Sequence, residues 1–153
     1  MVGWSSETFK TLTNKPVKSL DNETRRMTVR LRDALIERCL AGSGLRPGDR
    51  DGDLVLDTTL ISYKEYVVAT DVDGRTQRVQ FALLANFSLT DTSGRLIWTL
   101  KNYRYSDQFN ISTGRDAYSD EAVYSQDEAL KTVADLVITN ITLALEEFVQ
   151  DHE

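Results

Sequence analysis

Apolar and polar residues alternate through most of the stretch from Asp53 to Asp107. The clearest run has an apolar residue at every second position: Val79, Phe81, Leu83, Ala85, Phe87 and Leu89. A period of two is that of a strand with one buried face. Similar alternation starts at Leu54 and at Leu96, and turn-forming residues at 71–74 and 91–94 separate the runs. The pattern predicts three long antiparallel strands joined by two tight turns.

Two other segments have helical spacing. The first runs from about Asn22 to Ala41 and is followed by Gly42 and Gly44, which suit a helix end. The second has one apolar stripe, made of Leu130, Val133, Val137, Ile141, Ala144, Leu145 and Phe148. Residues 125–128 (Ser-Gln-Asp-Glu) fit a capping box, so we expect this helix to begin there, after a polar loop over 106–124. The fold class predicted is α+β: a two-layer sandwich in which an antiparallel sheet of about four strands is covered on one face by two helices.

Length and charge narrow the class of protein. The 153 residues, 41% of them hydrophobic, fit one domain over residues 1–153. Residues 107–153 hold 11 acidic and 2 basic side chains, so the final helix and its approach are strongly acidic. The pI of about 4.8 argues against nucleic-acid binding, which favours a dense basic patch. No apolar run approaches the roughly 18 residues of a spanning helix.

The residues that most catalysis relies on are nearly missing. The single histidine, His152, lies at the C-terminal end, and the single cysteine, Cys39, lies in an apolar helical stretch, where a thiol is usually packed and inert. The acidic cluster at 49–53 does not match a calcium-binding loop, because Leu60 stands where the bidentate glutamate would be. We therefore expect no catalytic residue, no metal and no cofactor, and a binding role before an enzymatic one.

Aromatic residues accompany cations in the predicted strands. The aromatic residues are Tyr63, Tyr66, Trp98, Tyr103 and Tyr105, and the cations are Lys64, Lys101 and Arg104. On the outer face of the sheet they could bind an acidic amphiphile or a protein wall. Ordinary cross-strand pairing explains them equally well, because Tyr and Trp are favoured in strands.

The order of several short phrases resembles a known family. They are the Asp-Leu-Val-Leu strand at 53–56 running into Ser62-Tyr63, Phe-Ser-Leu-Thr-Asp at 87–91, Ser-Gly-Arg-Leu-Ile-Trp at 93–98, the tyrosine-rich strand end and the acidic final helix. This order is similar to that of the lipopolysaccharide-assembly lipoproteins of Gram-negative outer membranes, the LptE family. Gly3-Trp4 resembles the Gly-Trp that follows the lipidated cysteine in some members. Val2 stands at the position of that cysteine, which we attribute to an engineered start.

The resemblance implies a non-catalytic subunit that sits inside the outer-membrane β-barrel LptD, helps it fold and presents lipopolysaccharide for insertion. It implies a location at the periplasmic face of the outer membrane, with a lipid anchor in the full-length precursor. Basic residues that contact lipopolysaccharide in the family lie in the first hairpin turn and before the last helix. In the turn, Val72 stands at the position of the family's basic residue, so only the neighbouring Arg75 and Arg78 could take its role. Before the last helix, the matching residue is Arg115. Two alternatives stay open: a periplasmic lipoprotein that activates a cell-wall synthase, and a small enzyme with paired carboxylates.

Overall fold

Six strands and two helices make up the part of the chain that the computed structural model describes, namely residues 11–19, 24–42, 44–48, 53–74, 76–110 and 115–151. The elements in chain order are β1 (Thr11–Asn14), β2 (Lys18–Ser19), α1 (Arg25–Leu40), β3 (Arg46–Gly48), β4 (Leu54–Thr70), β5 (Thr76–Asp91), β6 (Leu96–Asn110) and α2 (Arg115–Asp151). The acidic cluster at 49–52 and His152 lie outside the described residues. The two helices pack on one face of the sheet, which confirms the predicted α+β sandwich.

The sheet is mixed, with the order β3-β1-β4-β5-β6 and with β2 also paired to β4. β4, β5 and β6 are antiparallel, whereas β1 pairs in parallel with β3 and β4, and β2 in parallel with β4. The sequence predicted an antiparallel sheet of about four strands, so the predicted number and direction of the strands were only partly right. β1, β2 and β3 have four residues or fewer, and such short segments carry too few positions for alternation to be recognised.

The long strands bury the faces that the alternation predicted. All six apolar residues of the β5 run are buried, and so are Leu54, Leu56 and Leu60 of β4. Both hairpin turns contain a glycine in the left-handed region, Gly74 at φ +79° and Gly94 at φ +86°. In the second turn the Asp91 carboxylate accepts hydrogen bonds from the Ser93 hydroxyl and from the backbone amides of Ser93 and Arg95. These bonds, that of the Ser93 hydroxyl foremost, hold the pKa of Asp91 below its usual value.

A bulge shifts the alternation of β6. Tyr103 pairs with Ala85 and Leu100 pairs with Phe87, so Lys101 and Asn102 together stand opposite Asn86. Asn102 has a φ of +56°, and its backbone amide donates to Oδ1 of Asn86 at 2.6 Å. The extra residue allows both Leu100 and Tyr103 to pack against the helix-covered core.

α2 begins ten residues before the predicted start. It runs from Arg115, and β6 continues to Asn110, so the predicted loop over 106–124 is wrong. The residues 125–128 lie inside the helix and form no cap. The first turns of α2 are polar and lack a clear apolar stripe, which hid them from the pattern.

One core joins both helices to the sheet. The buried stripe of α2 shares a hydrophobic cluster with β5 and with the buried face of α1: Leu130, Val133, Val137, Ile141, Leu83, Phe87, Leu31 and Leu35. Cys39 also lies in this core, as expected, and burial raises the pKa of its thiol to about 11. A smaller cluster of Val79, Phe81, Phe109 and Ala129 extends the contact between α2 and the sheet.

Replacing Ile141 by Asp should destabilise the fold, because Ile141 is fully buried and the new carboxylate would have no partner. We expect a loss on the order of 3 kcal/mol or more in the free energy of unfolding. Thermal denaturation checks this. Leu143→Asp is the matched control, since Leu143 lies on the same helix and is 52% exposed. Equal melting temperatures for the two variants would contradict the assigned packing.

Candidate functional site

The three arginines predicted to contact lipopolysaccharide differ in what the structure describes. Arg78 lies near the start of β5, is exposed, and its Nε donates to Oδ1 of Asn110 at 3.1 Å. Arg115 is the first residue of α2, and its side chain lies outside the described residues. Arg75 also lies outside them.

The topology brings these positions to one end of the sheet. Arg78 pairs with Asn110, the last residue of β6, and the hairpin turn at 71–74 lies just beyond. Five residue steps separate Asn110 from Arg115, which limits the distance between their Cα atoms to roughly 18 Å. We call this region the hairpin end: the 71–74 turn, Arg75, Arg78 and the start of α2. Its cations come from two segments far apart in sequence.

The aromatic residues of the strands do not form an outer-face surface. Tyr63, Trp98, Tyr103 and Tyr105 are half-buried and pack against the helix-covered core. Register explains this, because Tyr63 and Tyr105 both pair with the inward residue Leu83. The rings of Tyr63 and Tyr105 also flank Phe81, each at 6.2 Å between centroids. The binding-surface interpretation is therefore wrong for these four residues, and Tyr66 alone of the five is exposed.

A cleft of about 710 Å³ opens between α1, β4 and α2. Its lining residues are Arg26, Met27, Arg30, Tyr63, Lys64, Glu65, Tyr66 and Gln126. Of the described strands, β2 reaches β4 only as far as Leu60, so beyond that point this edge of β4 has no strand beside it. We call this cavity the α1–β4 cleft. Its volume falls within the range of about 300–1,000 Å³ typical of small-ligand sites.

A polar network crosses the α1–β4 cleft and links its three elements. Arg30 of α1 donates from Nη1 to Oε1 of Gln126 on α2 at 2.6 Å, and its Nη2 contacts the Asp127 carboxylate. Gln126 Nε2 donates to Glu65 Oε1 at 2.7 Å, and the Tyr63 hydroxyl donates to the same oxygen at 3.0 Å. Burial first, and then the Glu65 charge, raise the pKa of Tyr63 well above its usual value. The phenol therefore stays protonated and keeps its role as a donor.

Two cations of the α1–β4 cleft are left outside this network. Within the described ranges, neither Arg26 nor Lys64 forms an ion pair or a side-chain hydrogen bond, and both are exposed. Arg25 and Arg26 occupy the first turn of α1, which has no acidic residue. The sequence showed Arg26 and Arg30 four positions apart on one helix, but it gave no sign that Lys64 lines the same cleft. The exposed cations of this arrangement can bind an anion.

The outer face of the sheet has a second, shallower depression of about 180 Å³. Asp57 lies in it, with Lys15 and Lys18 at 3.9 and 4.0 Å from its carboxylate oxygens. Both lysines are thus paired with this one carboxylate. Within the described parts of the chain, no group of three or more His, Cys, Asp or Glu side chains could hold a metal ion. None of the described helices combines the length and apolar character needed to cross a membrane.

One family model matches the chain, and several solved structures share its fold. The family model LptE, described as lipopolysaccharide-assembly, matches residues 13–145. A solved minor lipoprotein from Acinetobacter baumannii is 16% identical, with a TM-score of 0.56 over 88% of this chain and 92% of that one. The rare lipoprotein B from Shewanella oneidensis is 15% identical, with a TM-score of 0.58 over 92% and 99%. A protein from Xanthomonas campestris, 12% identical, has a TM-score of 0.65 over 97% and 91%. No curated protein matches the chain.

Removing the Arg30 side chain should weaken the junction of α1, α2 and β4. Arg30→Ala loses the bonds to Gln126 and Asp127, and we expect a loss of about 1–2 kcal/mol in the free energy of unfolding. Arg26→Ala removes the same charge one turn away, where the side chain has no described partner, and should change stability by less than about 0.5 kcal/mol. Urea denaturation of the two variants checks this. A larger effect for Arg26→Ala would show that the network is not what joins the elements.

Proposed function

Since this chain belongs to the LptE family of lipopolysaccharide-assembly proteins, we propose that it is a non-catalytic subunit that binds lipopolysaccharide and assists LptD in inserting it into the outer membrane. The observation that carries the proposal is the family match. It covers all of α1, most of α2 and all six strands, apart from the first two residues of β1. The fold shared with lipoproteins of two Gram-negative organisms supports a place in the cell envelope. Neither comparison favours a cell-wall synthase activator.

The hairpin end is the site that we propose for the lipid phosphates. Arg78 uses Nε to hold Asn110, which fixes the direction of the guanidinium while its terminal nitrogens have no described partner. A guanidinium held in this way can donate two parallel hydrogen bonds to a phosphate. We include Arg75 and Arg115 in the proposed site because the family resemblance points to these positions and because they lie three and five residues in sequence from Arg78 and Asn110. Binding of this kind requires fixed positive charges but no catalytic reaction.

Contact with LptD would use the rigid sandwich as a plug within the barrel. The strands of β4, β5 and β6 are long and paired over nearly their whole length, so the hairpin end is supported by a continuous sheet. We place the protein at the periplasmic face of the outer membrane, held there by the lipid anchor that the family implies. In this proposal, the whole of residues 1–153 acts as one LptE-like domain.

Lipopolysaccharide binding tests the proposed site. We expect Arg75→Ala/Arg78→Ala and Arg115→Ala each to lose affinity on the order of tenfold, because a charge-assisted hydrogen bond contributes about 1.5–3 kcal/mol. Wild-type affinity should fall between about 0.1 M and about 1 M salt, as the Debye length shortens from roughly 10 Å to roughly 3 Å.

Arg104→Ala serves as the control, because Arg104 is exposed in the middle of β6, away from the hairpin end. It should bind nearly as wild type does. If the hairpin-end variants bind no worse than this control, or if salt has no effect, the proposed site is wrong although the family assignment stands.

A further inference from the structure

We infer that the α1–β4 cleft is a second anion site, which takes a phosphate group between Arg26 and Lys64. The inference rests in part on the proposed function, since it gives a phosphorylated lipid a contact separate from the hairpin end. The site is formed by α1, β4 and α2, whereas the hairpin end is formed by the β4–β5 turn and the start of α2. The chemistry that the cleft recognises is a phosphate ester or free phosphate.

Charge in the cleft is the first reason. Its cations are Arg26, Arg30 and Lys64, and its one acidic lining residue is Glu65. Arg30 is paired with Asp127, and the Glu65 carboxylate, which accepts from the neutral donors Tyr63 and Gln126, keeps its charge. The three cations therefore exceed Glu65 and Asp127 by one positive charge, and within the described residues neither Arg26 nor Lys64 forms an ion pair. Two such cations beside one cavity are typical of a site for a group that carries more than one negative charge.

The position of Arg26 strengthens this reading. The N-terminal end of a helix is its positive end, so a cation in the first turn is disfavoured there. Arg25 and Arg26 both occupy that turn, which itself holds no acidic residue. The helix dipole and the Arg26 guanidinium act in the same direction and raise the positive potential beside the cleft. A bound anion would relieve this repulsion.

An apolar surface adjoins the cations. Met27 is buried at the base of the cleft, whereas Tyr66 at its rim is 51% exposed. An exposed aromatic ring beside a cationic pocket fits an amphiphile, whose charged and apolar parts lie side by side. For that reason we favour a lipid as the source of the phosphate.

A strand added by a partner protein is the competing use of this edge of β4. The edge is poorly suited to it, because the β4–β5 register shifts between Leu60 and Ser62 and again around Val67, Ala69 and Thr70. Bulges twist an edge away from a new strand, and a lysine such as Lys64 is a common protection against such pairing. The bulges of β4 and the presence of Lys64 therefore favour a compact anion over an extended peptide at this edge.

The test is a titration of the isotope-labelled protein followed by amide chemical shifts. Three probes are added separately: inorganic phosphate, lipopolysaccharide, and lipopolysaccharide from which the phosphates have been removed. We expect residues 26–30 and 63–66 to shift with intact lipopolysaccharide and much less with the dephosphorylated form. Arg26→Ala/Lys64→Ala should lower the affinity measured at these amides on the order of tenfold.

The matched control is Lys101→Ala/Arg104→Ala, which removes the same two charges from exposed positions on β6. It should leave the titration of the cleft unchanged. Thermal melting of both double variants confirms that each is folded.

The outcomes separate this inference from the proposed function. Shifts with lipopolysaccharide at lower concentration than with inorganic phosphate support a lipid source, and comparable shifts with inorganic phosphate alone support a site for free phosphate. If the cleft amides shift with inorganic phosphate but the protein binds no lipopolysaccharide, the anion site stands and the proposed function is wrong. The inference is overturned if the cleft amides respond to none of the three probes, or if the dephosphorylated lipid binds there equally well.

Discussion

Burial of the inner face of β5 under α2 and α1 fixes the positions of Arg78 and of the charged groups in the α1–β4 cleft. Burying one large apolar side chain contributes about 1.5–3 kcal/mol, about as much as one charge-assisted hydrogen bond of the Arg30 network. Five residues of the α2 stripe and six of β5 are buried, against four hydrogen bonds in the network, so packing dominates. Because strand side chains alternate, burial of one face also sets which residues point outward. The register in turn places Arg78 opposite Asn110.

Charge in this fold is divided between helices that face each other. The acidic α2 meets the arginines of α1 in two ion pairs: Arg30 with Asp127, and Arg38 with Asp135, where Nε and Oδ1 are 2.7 Å apart. Exposed ion pairs of this kind contribute about 0–1 kcal/mol each, so they orient α1 on α2 more than they hold it there. Arg26 and Lys64 at the α1–β4 cleft and Arg78 at the hairpin end are among the described cations outside these pairs. The described cations in both proposed anion contacts, namely Arg26, Lys64 and Arg78, form no described ion pair within the fold.

Much of this architecture could be predicted from residue patterns, because β5 and α1 each have one buried face and a clear period. β2 and β3 could not, since two or three residues show no period. The polar start of α2 was missed because it has no clear apolar stripe, and a capping motif further along suggested a later beginning. The inward direction of Tyr103 depends on the bulge at Asn102, which only the three-dimensional register reveals. The cleft was hidden for a similar reason, since Arg26 and Lys64 lie on different elements far apart in sequence.

Co-expression with the LptD barrel of the same organism, followed by affinity capture of the tagged chain, tests the central claim most directly. The account predicts that the barrel is recovered in a stoichiometric complex that survives washing. Cells that lack the chain should accumulate a smaller amount of folded barrel. Capture of a peptidoglycan synthase in place of the barrel, or a barrel that folds equally well without the chain, would contradict the account.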